Sequence, residues 1–337
     1  MIMIKVNGKE VAGGFYSRLI KATIRDEAGQ ESDSVSFDLD DADNAIEQPP
    51  PKATIEVFGG WKESGGIEPI GTYEMQSVSF KWDADSGDIV VIQGKAADLK
   101  RKLKGSGREA HDDKTFGEIV DHYAKRNGMT AKVDPELSKL KIKYRARVDT
   151  SEIDFLTTLG DEVGAIVKPM GDKLVVTKRG AGKSTSGKSL PPIRIEKSDT
   201  SGGEISPEGR TQYGTIKAAY IDQASGKRKT AESKTGLKGP EFTLKAPLPN
   251  KEQAEKAALA EAQRMTRNTG EGHFQLAKGR FDAQAEADVI AGPSFRDGVA
   301  GEWRCDAVEH VFDESGWKTK IEVKAKEDGA SAGKDEK

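Results

Sequence analysis

The sequence predicts a mainly β protein with an α+β connector near its middle. Short runs of alternating or β-branched residues dominate from Ile2 to Gln93 and again from Gly214 to Val323. Between them, the stretch from Thr115 to Thr177 holds two segments with the periodicity of helices, each followed by an extended run. With 337 residues the chain is too long for one ordinary core, so two or three domains are expected.

The first 95 residues predict a half-buried antiparallel sheet that forms a small barrel. The alternation over Ile2–Val6 ends at Asn7-Gly8, which is a hairpin turn signal. The prolines at 49–51 must lie outside any sheet ladder, because proline has no N–H to donate. The stretch from Trp61 to Gly71 predicts an exposed hairpin loop. Further strands are predicted at Leu19–Arg25, Val35–Leu39, Thr54–Phe58, Thr72–Trp82 and Ile89–Gln93.

The first helix of the connector has a clear start and a clear end. Thr115 and Glu118 stand at the N-cap and N3 spacing of a capping box, in which each side chain accepts a backbone N–H. Asn127-Gly128 supplies the left-handed stop. The residues before the cap, 111–113, are interpreted as a charged loop. The buried face is predicted to consist of Phe116, Ile119, Val120, Tyr123 and Ala124.

The second helix of the connector repeats this pattern more loosely. Ser151 and Asp154 open it, and Gly164 closes it. Its apolar stripe is Phe155, Leu156, Leu159 and Val163. The extended runs of the connector are Met129–Val133, Ala165–Met170 and Leu174–Thr177, and a short helix is predicted over Ala96–Leu103.

Composition changes sharply after Thr177. The stretch from Arg179 to Arg210 is rich in Gly, Ser, Lys and Pro, as linkers and long surface loops are. Strands resume at Gly214, and Asn250 caps a third helix whose alanines permit close packing against a sheet. Later strands are predicted at Phe274–Phe281, Trp303–Val311 and Lys318–Val323. The predicted units are a first barrel at 1–95, a connector at 96–178, a linker at 179–212, a second barrel at 213–325 and a disordered tail at 326–337.

Composition also bounds the function. Lys+Arg 53 against Asp+Glu 56 gives a net charge of −3, which argues against a broad basic face for nucleic acid. Cys305 is the single cysteine, so no intrachain disulfide forms, which fits folding in a reducing cytosol. The N-terminus lacks the apolar run of a signal peptide, and no stretch approaches the roughly 20 apolar residues of a membrane span.

One stretch matches the letters of a phosphate-binding P-loop. It runs from Gly182 to Ser189, with Lys188 at the lysine position. A working P-loop needs a helix that opens at the lysine, so that backbone N–H groups meet the phosphates. Here Pro191 and Pro192 follow almost at once and oppose a helix. We therefore interpret the match as a chance product of a Gly/Ser/Lys-rich linker and expect no nucleotide cofactor.

No other motif predicts catalysis or metal binding. The four histidines, at 111, 122, 273 and 310, are widely spaced and show no zinc-site pattern. His310 is interpreted as a structural residue of its strand, and Cys305 as a small buried hydrophobe. Trp61 is either an anchor for a partner or a side chain packed on its own barrel, and the sequence leaves both open.

The order of the signals carries a family resemblance. Its pieces are Thr115-Phe116 through Gly128, Asp154-Phe155 through Gly164, Ala218-Ala-Tyr220-Ile-Asp222, the alanine-rich helix Ala254–Met265, and Trp303 to His310 followed by Gly316-Trp317-Lys-Thr319. In this order and spacing they resemble the late control D family of contractile-tailed phages, which are baseplate hub proteins. Two segments depart from the family pattern: Gln48–Pro51 replaces an apolar-Gly turn, and Tyr144–Asp149 lacks the usual glutamine.

The resemblance implies a structural virion protein rather than an enzyme. Such hubs are similar to the N-terminal part of type VI secretion spikes and have two tube-like β-barrel domains that flank an α+β connector. The resemblance implies a homotrimer in the tail baseplate, assembled in the bacterial cytoplasm, that joins the hexameric tail tube to a trimeric spike. Its expected partners are the spike, the tube or its initiator and the tape-measure protein, with no nucleic acid and no membrane during assembly. The alternative is a tail-associated cell-wall hydrolase, which would need two carboxylates around a sugar cleft.

Overall fold

The computed structural model describes residues 1–11, 13–28, 32–61, 63, 66–84, 87–96, 103–170, 173–182, 189–207, 212–222, 224–327 and 330–332. Strands dominate these residues, which confirms the mainly β fold class. The helices are α1 (Gly13–Arg18), α2 (Phe116–Arg126), α3 (Pro135–Ser138), α4 (Glu152–Glu162) and α5 (Lys251–Arg267).

The strands follow one another along the chain in four groups. The first group is β1 (Ile2–Val6), β2 (Lys9–Glu10), β3 (Leu19–Glu27), β4 (Ser34–Asp40), β5 (Thr54–Gly59), β6 (Glu68–Asp83) and β7 (Gly87–Ala96). The connector contains β8 (Ser106–Thr115), β9 (Thr130–Val133), β10 (Lys141–Ser151), β11 (Ala165–Met170) and β12 (Lys173–Lys178). Next come β13 (Ile193–Ile195), β14 (Thr200–Pro207), β15 (Thr215–Ile221), β16 (Arg228–Lys234) and β17 (Glu241–Thr243). The last group is β18 (Gly270–Leu276), β19 (Asp288–Ala291), β20 (Gly301–Asp313), β21 (Gly316–Ala325) and β22 (Ser331–Ala332).

The two β-rich regions form one continuous sheet with a repeated pairing order. The first half pairs as β1-β5-β6-β7-β4-β3. The second half pairs as β13-β19-β20-β21-β18-β14. Strand β20 of the second half pairs with β3 of the first, which joins the two. Over the described residues this pairing is an open path, so closure of each half into a barrel stays a prediction.

The connector is a compact α+β unit, as the sequence predicts. Helices α2 and α4 pack on the sheet β11-β12-β9 and bury the predicted apolar stripe around Phe116, Tyr123 and Leu156. The capping box at the start of α2 is present, because Thr115 N–H donates to Glu118 Oε2 at 2.7 Å and Glu118 N–H to Thr115 Oγ1 at 3.2 Å. Local sequence signals therefore determine where this helix begins.

The alanine-rich helix α5 packs on a sheet of its own. Ala254, Ala258 and Ala262 are fully buried against β15 and β16, and their small size lets the helix approach closely. This sheet has the order β17-β15-β16-β22 and does not pair with the large sheet over the described residues. Residues 215–267 therefore form a separate α/β layer inside the region that the sequence assigns to a second barrel.

Three stretches differ from their predicted structure. The predicted charged loop before Thr115 is instead strand β8, which pairs with β10. The predicted linker contains the strands β13 and β14. The three residues of β13 are too few, and the sequence of β14 is too rich in Gly and Ser, to show the alternation that predicts a strand. In the predicted disordered tail, Ser331–Ala332 pairs with β16. The predicted helix over Ala96–Leu103 falls mostly on residues 97–102, which lie outside the described residues.

One lysine links the connector to the first half of the large sheet, at a point where the second half also makes contact. Lys168 of β11 donates to Asp33 Oδ1 at 2.6 Å and to the carbonyl of Glu27 at 3.1 Å. Asp26 lies 3.9 Å from the same ammonium group and accepts a hydrogen bond from the N–H of Ala285 at 2.9 Å. Burial, followed by the neighbouring Asp33, raises the pKa of the Asp26 carboxyl. The ammonium group of Lys168 therefore pairs with the carboxyl groups of Asp26 and Asp33 where the connector meets the two halves of the sheet.

Replacing this lysine should destabilise the protein more at neutral than at acid pH. In Lys168→Met the raised pKa of Asp26 rises further, because the cation that lowers it is gone. The stability linked to protonated Asp26 is present at acid pH and is lost as the pH rises through that raised pKa. We expect a cost of roughly 1–3 kcal/mol at about pH 8 and a smaller cost at about pH 5, measured by urea unfolding. Lys173→Met, at an exposed position of β12, is the matched control, and equal costs at both pH values would contradict the prediction.

Candidate assembly surfaces

The joint between the two halves of the sheet is a pair of antiparallel strands. Its register runs from Lys21 opposite Asp313 to Glu27 opposite Ala307. Charged side chains cross the joint on one face, where Arg25 donates to Glu322 Oε2 at 2.7 Å and lies 3.7 Å from Glu309. The Arg25 guanidinium lowers the pKa of Glu322 to about 2. Backbone pairing and ion pairs therefore hold the halves together.

An aromatic stack reinforces the joint on the other face. The ring of Trp317 lies between Phe312, with centroids 4.9 Å apart, and Trp61, with centroids 5.5 Å apart. Trp61 also donates its Nε1–H to the carbonyl of Gly279 at 2.8 Å. Phe312 and Trp317 belong to the second half but pack into the core of the first. Trp61 thus packs against the core of its own half, which is one of the two roles that the sequence left open, and Trp317 of the other half is part of that core.

His310 lies buried within this joint and is hydrogen-bonded to its neighbours. Its side chain is 2% exposed, and Nδ1 lies 2.9 Å from Thr319 Oγ1 and 3.3 Å from Trp317 Nε1. Burial lowers the pKa of His310 to about 4. The neutral ring can therefore accept the Nε1–H of Trp317 at Nδ1, and this hydrogen bond holds the indole in the stack.

The motif residues of the connector lie in its core and at its helix ends. Ser151 caps α4 by accepting the N–H of Asp154 at 3.1 Å, and Phe155 of the same helix is buried. Gly128 and Gly164 have φ of 69° and 72°, a conformation that glycine adopts without strain. A side chain at Gly164 would also contact Ala260 of α5. Together with Thr115 and Phe116, these residues form the helix ends and the core of the connector.

The remaining motif residues lie elsewhere in the molecule. Tyr220 is buried between β15 and α5. Trp303 is half-buried in the second half of the sheet and donates its Nε1–H to the carbonyl of Val299 at 2.9 Å. Gly316, with φ of 105°, forms the turn between β20 and β21. The predicted site residues therefore belong to several separate cores.

His111 is buried in the connector, although the sequence was interpreted as a charged loop at this position. It lies on β8, and its Nε2 is 2.8 Å from the hydroxyl of Tyr123. Nearby, Arg126 bonds Glu152 at 2.9 Å and Glu109 at 2.8 Å, and Glu109 also bonds His122 at 2.7 Å. Burial lowers the pKa of His111. This network pairs its charges internally and ties β8 to both helices of the connector.

Two pairs of large apolar side chains are exposed, and neither pair belongs to a motif of the sequence. Phe80 and Trp82 of β6 are 50% and 77% exposed. Tyr144 and Val148 of β10 are 56% and 58% exposed. Phe80 and Trp82 stand two residues apart in a predicted strand, so the alternation already placed them on one face. Exposed aromatic side chains in such a row are typical of protein–protein contact surfaces.

The described residues offer little that resembles a site for chemistry. They contain no group of three or more His, Cys, Asp or Glu placed to hold a metal ion. The interior of the P-loop-like stretch, 183–188, lies outside the described residues, while its flanks are joined by a bond from Leu190 N–H to the carbonyl of Gly182 at 2.8 Å. Cys305 is buried, which raises the pKa of its thiol. In the same parts of the chain, no helix is long and apolar enough to span a bilayer.

One cavity of about 440 Å³ between α4 and α5 contains several carboxylates. Asp161 is bonded to Arg179 at 2.6 Å, and Glu261 is bonded to Arg264 at 2.5 Å. Glu162 is bonded to Arg145, and burial raises the pKa of this carboxyl. Each of the three carboxylates therefore has an arginine partner that holds it in place.

Comparison with known proteins confirms the resemblance predicted from the sequence. No protein-family profile matches the chain. The chain is 27% identical to a probable baseplate hub protein of Escherichia phage 186 and 26% identical to that of Escherichia phage P2, in each case over 96% of this chain and 92% of the relative. Its fold is similar to the 43 kDa tail protein of prophage MuSo2 from Shewanella oneidensis, with a TM-score of 0.70, 15% identity and coverage of 98% and 99%.

The same fold extends to secretion machinery. A component of the type VI secretion system of E. coli superimposes with a TM-score of 0.57 and 8% identity, over 97% of this chain and 77% of that one. The chain is thus similar over 96% of its length to probable baseplate hub proteins of two phages, and its fold is similar to those of a phage tail protein and a type VI secretion component.

Removing the indole of Trp61 should weaken the joint within the chain. Trp61→Ala loses the stack on Trp317 and the hydrogen bond to Gly279, so we expect the free energy of unfolding to fall by about 2–3 kcal/mol. Urea unfolding of dilute protein, followed by circular dichroism, measures the change. Tyr144→Ala is the matched control, because its side chain lies on β10 of the connector, is 56% exposed and should cost less than about 0.5 kcal/mol. Equal costs for the two variants would show that the stack does not stabilise the joint.

Proposed function

We propose that this protein is the hub of a contractile-tail baseplate, in which three copies form a ring between the tail tube and the spike. Each half of the large sheet closes with its neighbours into a tube-like barrel, and the six halves of three copies match the sixfold tube. The threefold axis of the same ring receives the trimeric spike. The hub is a virion component that assembles in the cytoplasm of the host bacterium with the spike, the tube or its initiator and the tape-measure protein.

The repeated pairing order of the two halves is the observation that carries this proposal. Three copies present six sheet halves, each with the same succession of strands. A ring of such copies offers six similar surfaces to a hexamer and three identical surfaces to a trimer. The similarity to probable baseplate hub proteins over 96% of the chain supports the same conclusion.

The proposed mechanism is passive and needs no enzyme activity. The hub holds spike and tube on one axis and leaves the particle with them when the sheath contracts. The ion pairs, the aromatic stack and the internally paired network of the connector all serve rigidity, which is the property that an adaptor requires. The curated relatives are hub proteins by name, which agrees with this role.

The mass of the protein in solution tests the proposal. Three chains of 36.4 kDa give a trimer of about 110 kDa in analytical ultracentrifugation, with rings in negative-stain images. The measurement is made on the full chain alone and again with the cognate spike, because the spike stabilises the trimer by mass action. A protein that stays monomeric even with the spike would contradict the proposal.

The alternative of a cell-wall hydrolase has its own test. Purified protein is incubated with peptidoglycan, and we expect no loss of turbidity. If clearing occurs, Glu162→Gln identifies whether the carboxylates of the cavity are responsible, since Glu162 is the one whose pKa burial raises. Reproducible clearing that this variant abolishes would replace the passive mechanism with an enzymatic one.

A further inference from the structure

The long hairpins of the two halves correspond to each other residue by residue. Strand β6 pairs with β7 through a bulge between Met75 and Ser77, and β20 pairs with β21 through a bulge between Cys305 and Ala307. Beyond the bulge, Val78 lies opposite Ile92, and Val308 lies opposite Ile321. Before the bulge, β6 pairs on its outer side with β5, and β20 pairs with β19. When the two hairpins are aligned at their bulges, Trp82 corresponds to Phe312 and Phe80 corresponds to His310.

The two hairpins differ in what covers them beyond the bulge. Strand β20 continues there as the partner of β3, and its His310 and Phe312 are 2% and 7% exposed. The corresponding part of β6 has no outer partner strand among the described residues, and its Phe80 and Trp82 are 50% and 77% exposed. The apolar face of β6 therefore extends beyond the part of the strand that the core of the first half covers.

Strand β14 corresponds to β3, the strand that covers β20. Both are the last strand in the order of their half, and both contain a bulge, at 19–21 in β3 and at 200–202 in β14. Ala22 lies opposite Phe37 of β4, and Gly203 lies opposite Phe274 of β18, so these two positions correspond. Two residues further, Ile24 corresponds to Ile205. The outer edge of β14 has no partner strand within the described residues.

We propose that the part of β6 beyond its bulge pairs, antiparallel, with β14 of a second copy of the chain. Within one chain Ala22 lies opposite Phe312. Transferring that register to the corresponding residues places Trp82 opposite Gly203, Lys81 opposite Glu204 and Phe80 opposite Ile205 of the neighbouring copy. This inference rests on the proposed trimeric ring and defines the contact between its copies.

The side chains that this register brings together are complementary. Lys81 and Glu204 are both exposed and carry opposite charges, and directly opposed residues of antiparallel strands point to the same face. Gly203 has no room for a side chain, because a Cβ there would lie 2.7 Å from the carbonyl oxygen of His273. The indole of Trp82 covers this bare stretch of backbone, as Phe312 covers Ala22 within the chain. Phe80 packs on Ile205, which is half-buried.

A second copy is the occupant that satisfies both edges at once. Strand edges with exposed aromatic residues invite pairing with other chains, and a closed ring leaves neither of these edges open. Because the β6 edge of each copy meets the β14 edge of the next, three copies contain three joints within chains and three between chains. In all six joints, the first strand of a long hairpin (β6 or β20) then pairs with the last strand of the adjoining half (β14 or β3).

Reversing the charges tests the register. Lys81→Glu and Glu204→Lys each place like charges opposite one another at three joints of the ring, so each should weaken trimer association roughly 100-fold. The double variant restores opposite charges and should recover most of the loss. Sedimentation equilibrium measures association, and circular dichroism checks that each variant folds. Lys173→Glu, at an exposed position of β12 in the connector, is the control for net charge. Losses that merely add in the double variant would overturn the register.

A disulfide tests the contact directly. Lys81→Cys with Glu204→Cys places two thiols opposite each other across the joint, within the reach of a disulfide. Oxidation should give a covalent trimer in a non-reducing denaturing gel, while native Cys305 stays buried. The matched control is Ser79→Cys with Glu204→Cys, which is two residues out of register and should not cross-link.

The outcomes separate this inference from the proposed function. A trimer in ultracentrifugation that fails to cross-link through residues 81 and 204, or that cross-links through the control pair, overturns the strand pairing and leaves the hub proposal standing. A protein that is monomeric with and without the spike overturns both. A covalent trimer from the designed pair alone supports the pairing and its register.

Discussion

The pairing of β3 with β20 is the constraint on which the rest of the architecture depends. It converts two sheets, built from residues far apart in the chain, into one. The other contacts at the joint require this register. Only in this alignment does Arg25 lie next to Glu322, and only then does Phe312 enter the core of the first half. Backbone hydrogen bonds supply the register, and the side chains on each face make it specific.

The contacts of the connector hold it in a fixed position against the large sheet. Its own core is closed by two capped helices, and a network of paired charged groups ties β8 to both helices. Lys168 then joins it to acidic side chains of β3 and of the loop before β4, beside the backbone of the second half. A charge in so enclosed a junction is costly unless it is paired, so this arrangement resists displacement of any one unit.

The large sheet also shows how one chain can repeat a structural theme with little sequence repetition. The bulges, the pairing order and the placement of core residues recur in both halves, yet His310 corresponds to Phe80 and Ala22 to Gly203. Where one half covers the other, the residues are buried; where no described strand follows, they are exposed. The two hairpins have the same strand pairing, so the difference in exposure arises from whether a strand of the adjoining half covers them.

The sequence by itself determined the local elements. Capping residues, glycine stops and apolar periodicity located α2, α4 and α5, and the order of motifs identified the resemblance to phage hub proteins, since each of these signals acts over only a few neighbouring residues. Only the tertiary structure decided which strands pair. The Gly/Ser-rich β14 and the charged β8 carry no alternation that announces a strand, and their structure depends on partners distant in the chain. The role of Trp61 and the exposure of Trp82 were undetermined for the same reason: burial is a property of what packs against a residue, and that is set by long-range pairing.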